Sequence, residues 1–192
     1  MSEVIVCDTN VAIHLTIICP DILKNPPSDC KIVLHQIVKT ELHRLSKDPR
    51  KSERLKDIFD FILKNVNTYT QLLTLPQDKQ IQAHVRFQKF EEGLPETNTA
   101  PSSHYDRELL ILAKKNSKKL LTNDTKLHQL STAFLGADKT WRTGDALKNL
   151  LSLNSLTKET VQSGLMKMKN PYGEKLNAEC QTLLKELGFT FS

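Results

Sequence analysis

The sequence predicts an α/β fold: a central, mostly parallel five-stranded sheet flanked by helices, followed by a helical C-terminal extension. Two observations carry this. Short β-rich apolar segments alternate with segments of helical period, the pattern of strands joined by crossover helices. Near residue 150 that alternation stops, and only helical stripes follow. The chain therefore divides into a domain at 1–150 and an extension at 151–192, expected to pack on the domain or at a contact of a homodimer.

The expected strands are Val4–Asp8, Lys31–His35, Tyr69–Leu75, Lys118–Thr122 and Lys139–Arg142. Helical patterns lie between them. Ile37–Leu45 is the first, and Ser52–Asn65 carries Leu55, Ile58, Phe59 and Ile62 on one stripe. Gln77–Glu92 contributes Ile81 and Val85, with Phe87 and Phe90 as further candidates, and Tyr105–Asn116 contributes Leu109, Leu110 and Ala113. The segment GLPETNTAPSSH at 93–104 has the composition of a flexible loop, directly ahead of Asp106. In the extension, Ser155 or Thr157 is placed to cap a helix with Val161, Leu165 and Met168 on one face. Pro171-Tyr172-Gly173 interrupts the chain, and a second helix with Leu176, Cys180, Leu183, Leu184 and Leu187 ends at Gly188.

Composition narrows the function classes. With 39% hydrophobic and 26% charged residues the chain reads as an ordinary globular protein. No apolar run approaches the roughly 18 residues of a membrane helix. Met1-Ser2-Glu3 enters the first strand without a basic leader, so no secretory signal is expected. The four cysteines form no CxxC pair, which points to a reducing, cytoplasmic setting without structural disulfides. No Walker loop, GxGxxG or GxSxG occurs, so neither a nucleotide cofactor nor a serine nucleophile is supported. The net charge is +5; residues 1–150 hold 22 Lys/Arg against 18 Asp/Glu, and the extension is nearly neutral. A basic body suits a polyanionic partner.

Four carboxylates occupy positions that ordinary surface acids do not. Asp8 ends the first strand and Asp124 follows another in LLTNDTKL, where ligand sites of open parallel sheets lie. Glu41 falls on the apolar stripe of Ile37, Val38 and Leu45, and Asp106 on that of Leu109, Leu110 and Ala113. Taken singly, each is explained as a helix cap or a salt-bridge partner. Taken together, they require an account of their charge. Two ionised carboxylates about 4 Å apart repel by roughly 4 kcal/mol at an effective dielectric of 20. A hard divalent cation relieves such crowding, and oxygen ligands favour Mg²⁺ or Mn²⁺ over zinc.

The order of these residues resembles the PIN-domain nucleases over roughly residues 1–148. VCDTN looks like the family's first-strand acid with its Thr-Asn, and IVKTEL like the second acid on the following helix. YDRELLILA is similar to the third acid at a helix start, and LLTNDTKL to the Thr-x-Asp turn that bears the fourth. The resemblance implies that Asp8, Glu41, Asp106 and Asp124 hold one or two Mg²⁺ or Mn²⁺ ions, with Asn10 and Thr122 as polar supports. It also implies endonucleolytic cleavage of single-stranded RNA to a 5′-phosphate and a 3′-hydroxyl. Two further readings remain: a catalytically silent RNA-binding scaffold, and the toxin of a toxin–antitoxin pair with an antitoxin partner.

Two basic groups are candidates for the RNA backbone. Arg44 and Lys47, with Arg50, Lys51 and Arg54, lie beyond Glu41; Lys114, Lys115, Lys118 and Lys119 cluster after the Asp106 helix. For each group alone, a solvated helix face is the competing explanation.

Overall fold

A run of apolar residues without polar interruption suits a strand covered on both faces, and β1 (Glu3–Cys7) meets that condition at the centre of the molecule. Ile5, Val6 and Cys7 have no exposed surface. The computed structural model describes residues 3–67, 77–93, 103–170, 172 and 176–189. In it β1 pairs in parallel with β2 (Cys30–Leu34) on one side and β3 (Lys119–Leu121) on the other. β4 (Thr140–Trp141) adds in parallel to β3, giving the order β2-β1-β3-β4. The described residues thus form a sheet of four strands, not five. The strand expected at Tyr69–Leu75 lies outside the described residues, as does most of the loop expected at 93–104.

Register decides what stands at the sheet's C-terminal edge. Cys7 lies opposite Leu34 and Leu121, and Leu121 opposite Trp141. The next residue of each strand, His35, Asp8, Thr122 and Arg142, therefore forms one row across that edge. Because β2 flanks β1 on one side and β3 on the other, the topological switch point falls between β1 and β3.

Helices α1 (Thr9–Ile18), α3 (Gln36–Ser46), α7 (Thr125–Leu135) and α8 (Thr143–Ser152) each start within four residues of a strand end, so their N-termini gather on the same edge. α6 (His104–Lys115) ends just before β3 begins and so also has its N-terminus there. α2 (Asp21–Lys24), α4 (Glu53–Asn65) and α5 (Gln77–Glu92) complete the helices ahead of α6. Every residue of α1 except Asn10 is buried, since α9, α4, α2 and α3 cover it from several sides. That is why its sequence shows so little polar face.

The extension forms α9 (Lys158–Lys169), capped by Thr157, and α10 (Ala178–Glu186), capped by Asn177. Gly188, at φ +88°, ends α10, with Gly188 N–H on the Lys185 carbonyl and Phe189 N–H on that of Leu184, the paired bonds of a Schellman stop. α9 crosses α1 so closely that a Cβ on Gly164 would lie 2.5 Å from Ile18 Cα. α10 lies against α8 in the same manner, at Gly144 and Glu179. The stripes Val161, Leu165, Met168 and Cys180, Leu183, Leu184 are buried within the chain itself.

Candidate metal centre

Asp8 is fixed by the two elements it joins. As N-cap of α1 its Oδ1 accepts the Val11 N–H at 2.8 Å, and its Oδ2 accepts the Thr122 hydroxyl from the end of β3. Its own N–H donates to the Leu121 carbonyl at 3.0 Å, so the row across β1 and β3 is continuous. The residue is 5% exposed. Burial pushes its carboxyl up from 3.8 to about 6, although the bonds from Thr122 and Val11 oppose that and His14 draws it down slightly. Asp106 adds a further upward push through its negative charge.

Asp106 sits in the first turn of α6. Its Oδ2 accepts the Ser103 N–H at 3.1 Å while its own N–H donates to Ser103 Oγ at 3.1 Å, a reciprocal capping box. Burial raises its pKa, Ser103 lowers it, and the charge of Asp124 raises it again. Asp124 caps α7: its Oδ1 accepts the Leu127 N–H at 2.7 Å and its N–H donates to Thr122 Oγ1 at 3.1 Å. Thr122 thus touches two of the acids. Glu41, on α3, accepts the Thr9 hydroxyl on Oε2, and Arg44 Nη2 stands 3.8 Å from Oε1.

Two of the four acids are therefore helix N-caps and a third completes a capping box in a first turn, and all four belong to the elements that meet at one sheet edge. Asp8 and Asp124 are joined through Thr122, Glu41 is bonded by Thr9, the residue after Asp8, and the charge of Asp124 acts on Asp106 as that of Asp106 acts on Asp8. Among the described residues, however, no group of three or more His, Cys, Asp or Glu side chains lies close enough to hold a metal ion. The donors fit a hard divalent cation in kind, being carboxylate oxygens only. Their described spacing does not close around one.

The expected supports differ in placement. Thr122 is fully buried between Asp8 and Asp124, whereas Asn10 is exposed on the first turn of α1. Lys114, Lys115 and Lys118 stand at the opposite end of α6 and β3 from the acids. Lys114 Nζ donates to the Phe134 carbonyl at 2.7 Å, near the C-terminus of α7, and Lys119 Nζ lies 3.7 Å over the Trp141 ring. Arg44, 64% exposed, touches Glu41, and exposed Lys47 caps the end of α3.

Sequence reasoning missed Thr9, Asn123 and Arg142. Thr9 and Arg142 follow the rule already used for Asp8, since both stand within two residues of a strand's C-terminal end. Asn123 had its signal in the same LLTNDTKL turn, but its partners are spread from residue 14 to residue 177.

A parallel sheet with helix N-termini and acids gathered at the C-terminal edge of its switch point defines a nuclease-like α/β domain. The PIN domain family matches residues 5–142, and the chain belongs to it. A comparison with curated proteins finds no match to this chain. PIN domains are generally nucleases and typically use divalent metal ions. The match ends at Arg142, ahead of α8, so the three C-terminal helices lie beyond it. Among the described residues no helix is long and apolar enough to cross a membrane.

Proposed function

We propose that this protein is a metal-dependent endoribonuclease that hydrolyses phosphodiester bonds of single-stranded RNA, with Asp8, Glu41, Asp106 and Asp124 as ligands of one or two Mg²⁺ or Mn²⁺ ions. One observation carries the reading: a carboxylate 5% exposed at the switch point of a parallel sheet, pushed up to about 6 by burial. Keeping a charge there is unfavourable unless a positive partner offsets its desolvation. Asp106 is raised as well, first by burial and then by the charge of Asp124, so two acids of this edge are costly to ionise. A bound divalent ion would supply an activated water and stabilise charge on the phosphate.

The chain's own residues have separate tasks in this reading. Thr122 orients Asp8 and tethers the Asp124 amide, Thr9 orients Glu41, and Ser103 fixes the Asp106 side chain. Arg44, beside Glu41, and Lys47 at the end of the same helix would meet the RNA backbone, and Lys114, Lys115 and Lys118, at the far end of α6 and β3, would lie off its path. Asn10, exposed at the rim, would face the substrate phosphate. The silent-scaffold reading draws on one observation, the absence of a three-ligand cluster among the described residues. A cation would offset the cost of ionising Asp8 and Asp106 together, which the scaffold reading leaves unexplained, so the catalytic reading takes precedence.

The test compares wild type with Asp8→Asn on mixed-sequence single-stranded RNA in EDTA, Mg²⁺ and Mn²⁺. Cleavage that needs the metal and disappears in the folded variant is the expected result. RNA binding without cleavage by either protein would favour the scaffold. Equal cleavage by both would remove Asp8 from the chemistry.

A further inference from the structure

Asn123 stands between Thr122 and Asp124, and its side-chain amide is used in full. Nδ2 donates to His14 Nδ1 at 2.8 Å and to Thr143 Oγ1 at 2.7 Å. Oδ1 accepts the Thr143 N–H at 3.1 Å and Asn177 Nδ2 at 2.8 Å. An amide offers two N–H donors and one carbonyl with two lone pairs, so no capacity is left over. The backbone carbonyl of the same residue accepts Arg142 Nη1 at 3.3 Å, and Arg142 Nε pairs with Glu179 Oε1 at 3.3 Å. Asn177 is the N-cap of α10 and Glu179 lies in its first turn. Two ties from one turn of the C-terminal helix, one direct and one through Arg142, therefore end on a single residue of the acid-bearing turn. Gly144 permits this approach, since a Cβ there would lie 2.6 Å from Glu179 Cβ.

We propose that α10 clamps the Thr122–Asp124 turn, with Asn177 as a positioning residue that holds Asn123 and thereby the Thr122 hydroxyl and the Asp124 carboxylate. The functional consequence rests on the metal-centre reading above; the clamp itself concerns the turn with or without an ion. Asp124 is exposed, and its carboxylate is aimed by the Leu127 N–H on Oδ1 together with the hold on its backbone. Thr122 Oγ1 holds its N–H from the β1 side, and Asn123 holds the peptide on the other side. Loss of the Asn177 donor leaves Asn123 Oδ1 short of a partner and frees one side of the turn. A helix more than fifty residues downstream thus belongs to the site, beyond the span that the family match covers.

Asn177→Ser separates positioning from mere anchoring. Serine can still cap α10 through the Cys180 N–H, but it has no donor that reaches Asn123. Gln162→Ala serves as control, because Gln162 Nε2 ties α9 to the Leu187 carbonyl at 2.8 Å, away from the turn. Amide exchange by NMR on the metal-free proteins is the first readout. The Asp124 and Leu127 amides are expected to exchange about tenfold faster in Asn177→Ser and at the wild-type rate in Gln162→Ala. Mn²⁺ titration by calorimetry is the second, with affinity expected about tenfold weaker in Asn177→Ser and unchanged in Gln162→Ala. Unchanged exchange at both amides, or equal acceleration in both variants, would overturn the clamp. If wild type and Asp124→Asn take up Mn²⁺ equally, or neither does, while exchange responds as expected, the metal reading falls and the clamp stands. Should Asn177→Ser fail to fold, Asn177→Asp keeps the cap oxygen, replaces the donor by an acceptor, and is judged on the same two amides.

Discussion

Asp8 ends a strand, caps a helix and receives a hydroxyl from the neighbouring strand, and still it is costly to ionise. With its pKa raised from 3.8 to about 6, the folded chain binds this proton more tightly than the unfolded chain does. The stabilisation from the protonated form is complete below about pH 4 and is lost as pH rises through about 6. Without metal, the unfolding free energy of wild type should fall relative to that of Asp8→Asn by about 2 kcal/mol between pH 4 and pH 7. Parallel denaturant titrations of the two proteins measure this, and a flat difference would mean Asp8 is not desolvated. Thr122 acts on the same carboxylate from the opposite side. Thr122→Val removes the donor to Asp8 and the acceptor for the Asp124 N–H, and is expected to destabilise by about 1–3 kcal/mol while raising the Asp8 pKa further. NMR titration of the Asp8 carboxyl follows that rise. The four acids were legible because strand ends and apolar stripes mark odd places for charge. Asn123 was not, because hydrogen bonds to residues 14, 143 and 177 leave no periodicity in the chain.

At the scale of elements, close backbone approach explains what pattern reading could not. α1 is buried almost throughout, so its sequence gives no face from which to tell which helix covers it. Gly164 answers that question: its missing side chain lets α9 rest on the Ile18 backbone. A Cβ placed 2.5 Å from a Cα cannot be relieved by turning a rotamer, so the helices must part. Gly164→Ala should destabilise by about 1–3 kcal/mol, the range of overpacked cores. Gly93→Ala, whose nearest atoms would lie 3.6 Å away, should change stability little. Thermal melts of the two variants make the comparison, and equal melting temperatures would contradict the packing of α9 on α1. β4, the outermost strand beside β3 among the described residues, carries the weakest strand pattern in the sequence, and its form shows why. It has two residues, the Thr140 N–H bonds the Ala137 carbonyl, and the Arg142 N–H bonds Asp145 Oδ2 at 2.8 Å. An edge so short, with these two amides engaged, is poorly suited to pairing with another chain.

Across the whole molecule, the acids and the cations separate in a way that the linear order concealed. Asp106 and Lys115 share α6, yet nine residues of helix put them about 13 Å apart along its axis. Lys114 turns towards Phe134, at the end of α7 remote from Asp124. On α3, by contrast, Arg44 touches Glu41 directly. If the proposed RNA path crosses the acid edge and follows α3, Arg44 stands beside Glu41 and Lys47 lies about 9 Å further along that helix, whereas Lys115 and Lys118 stand at the opposite end of α6 and β3. Binding of single-stranded RNA in EDTA, where no cleavage is expected, tests this through its salt dependence. Every phosphate that a variant no longer neutralises should reduce the slope of log K against log salt by about 0.7. The Arg44→Ala, Lys47→Ala double variant is expected to lower the slope by about 1.4, while Lys115→Ala with Lys118→Ala leaves it near that of wild type. The reverse result would send the RNA along α6 to the opposite end of the sheet. It would leave Arg44 as a partner of Glu41 alone.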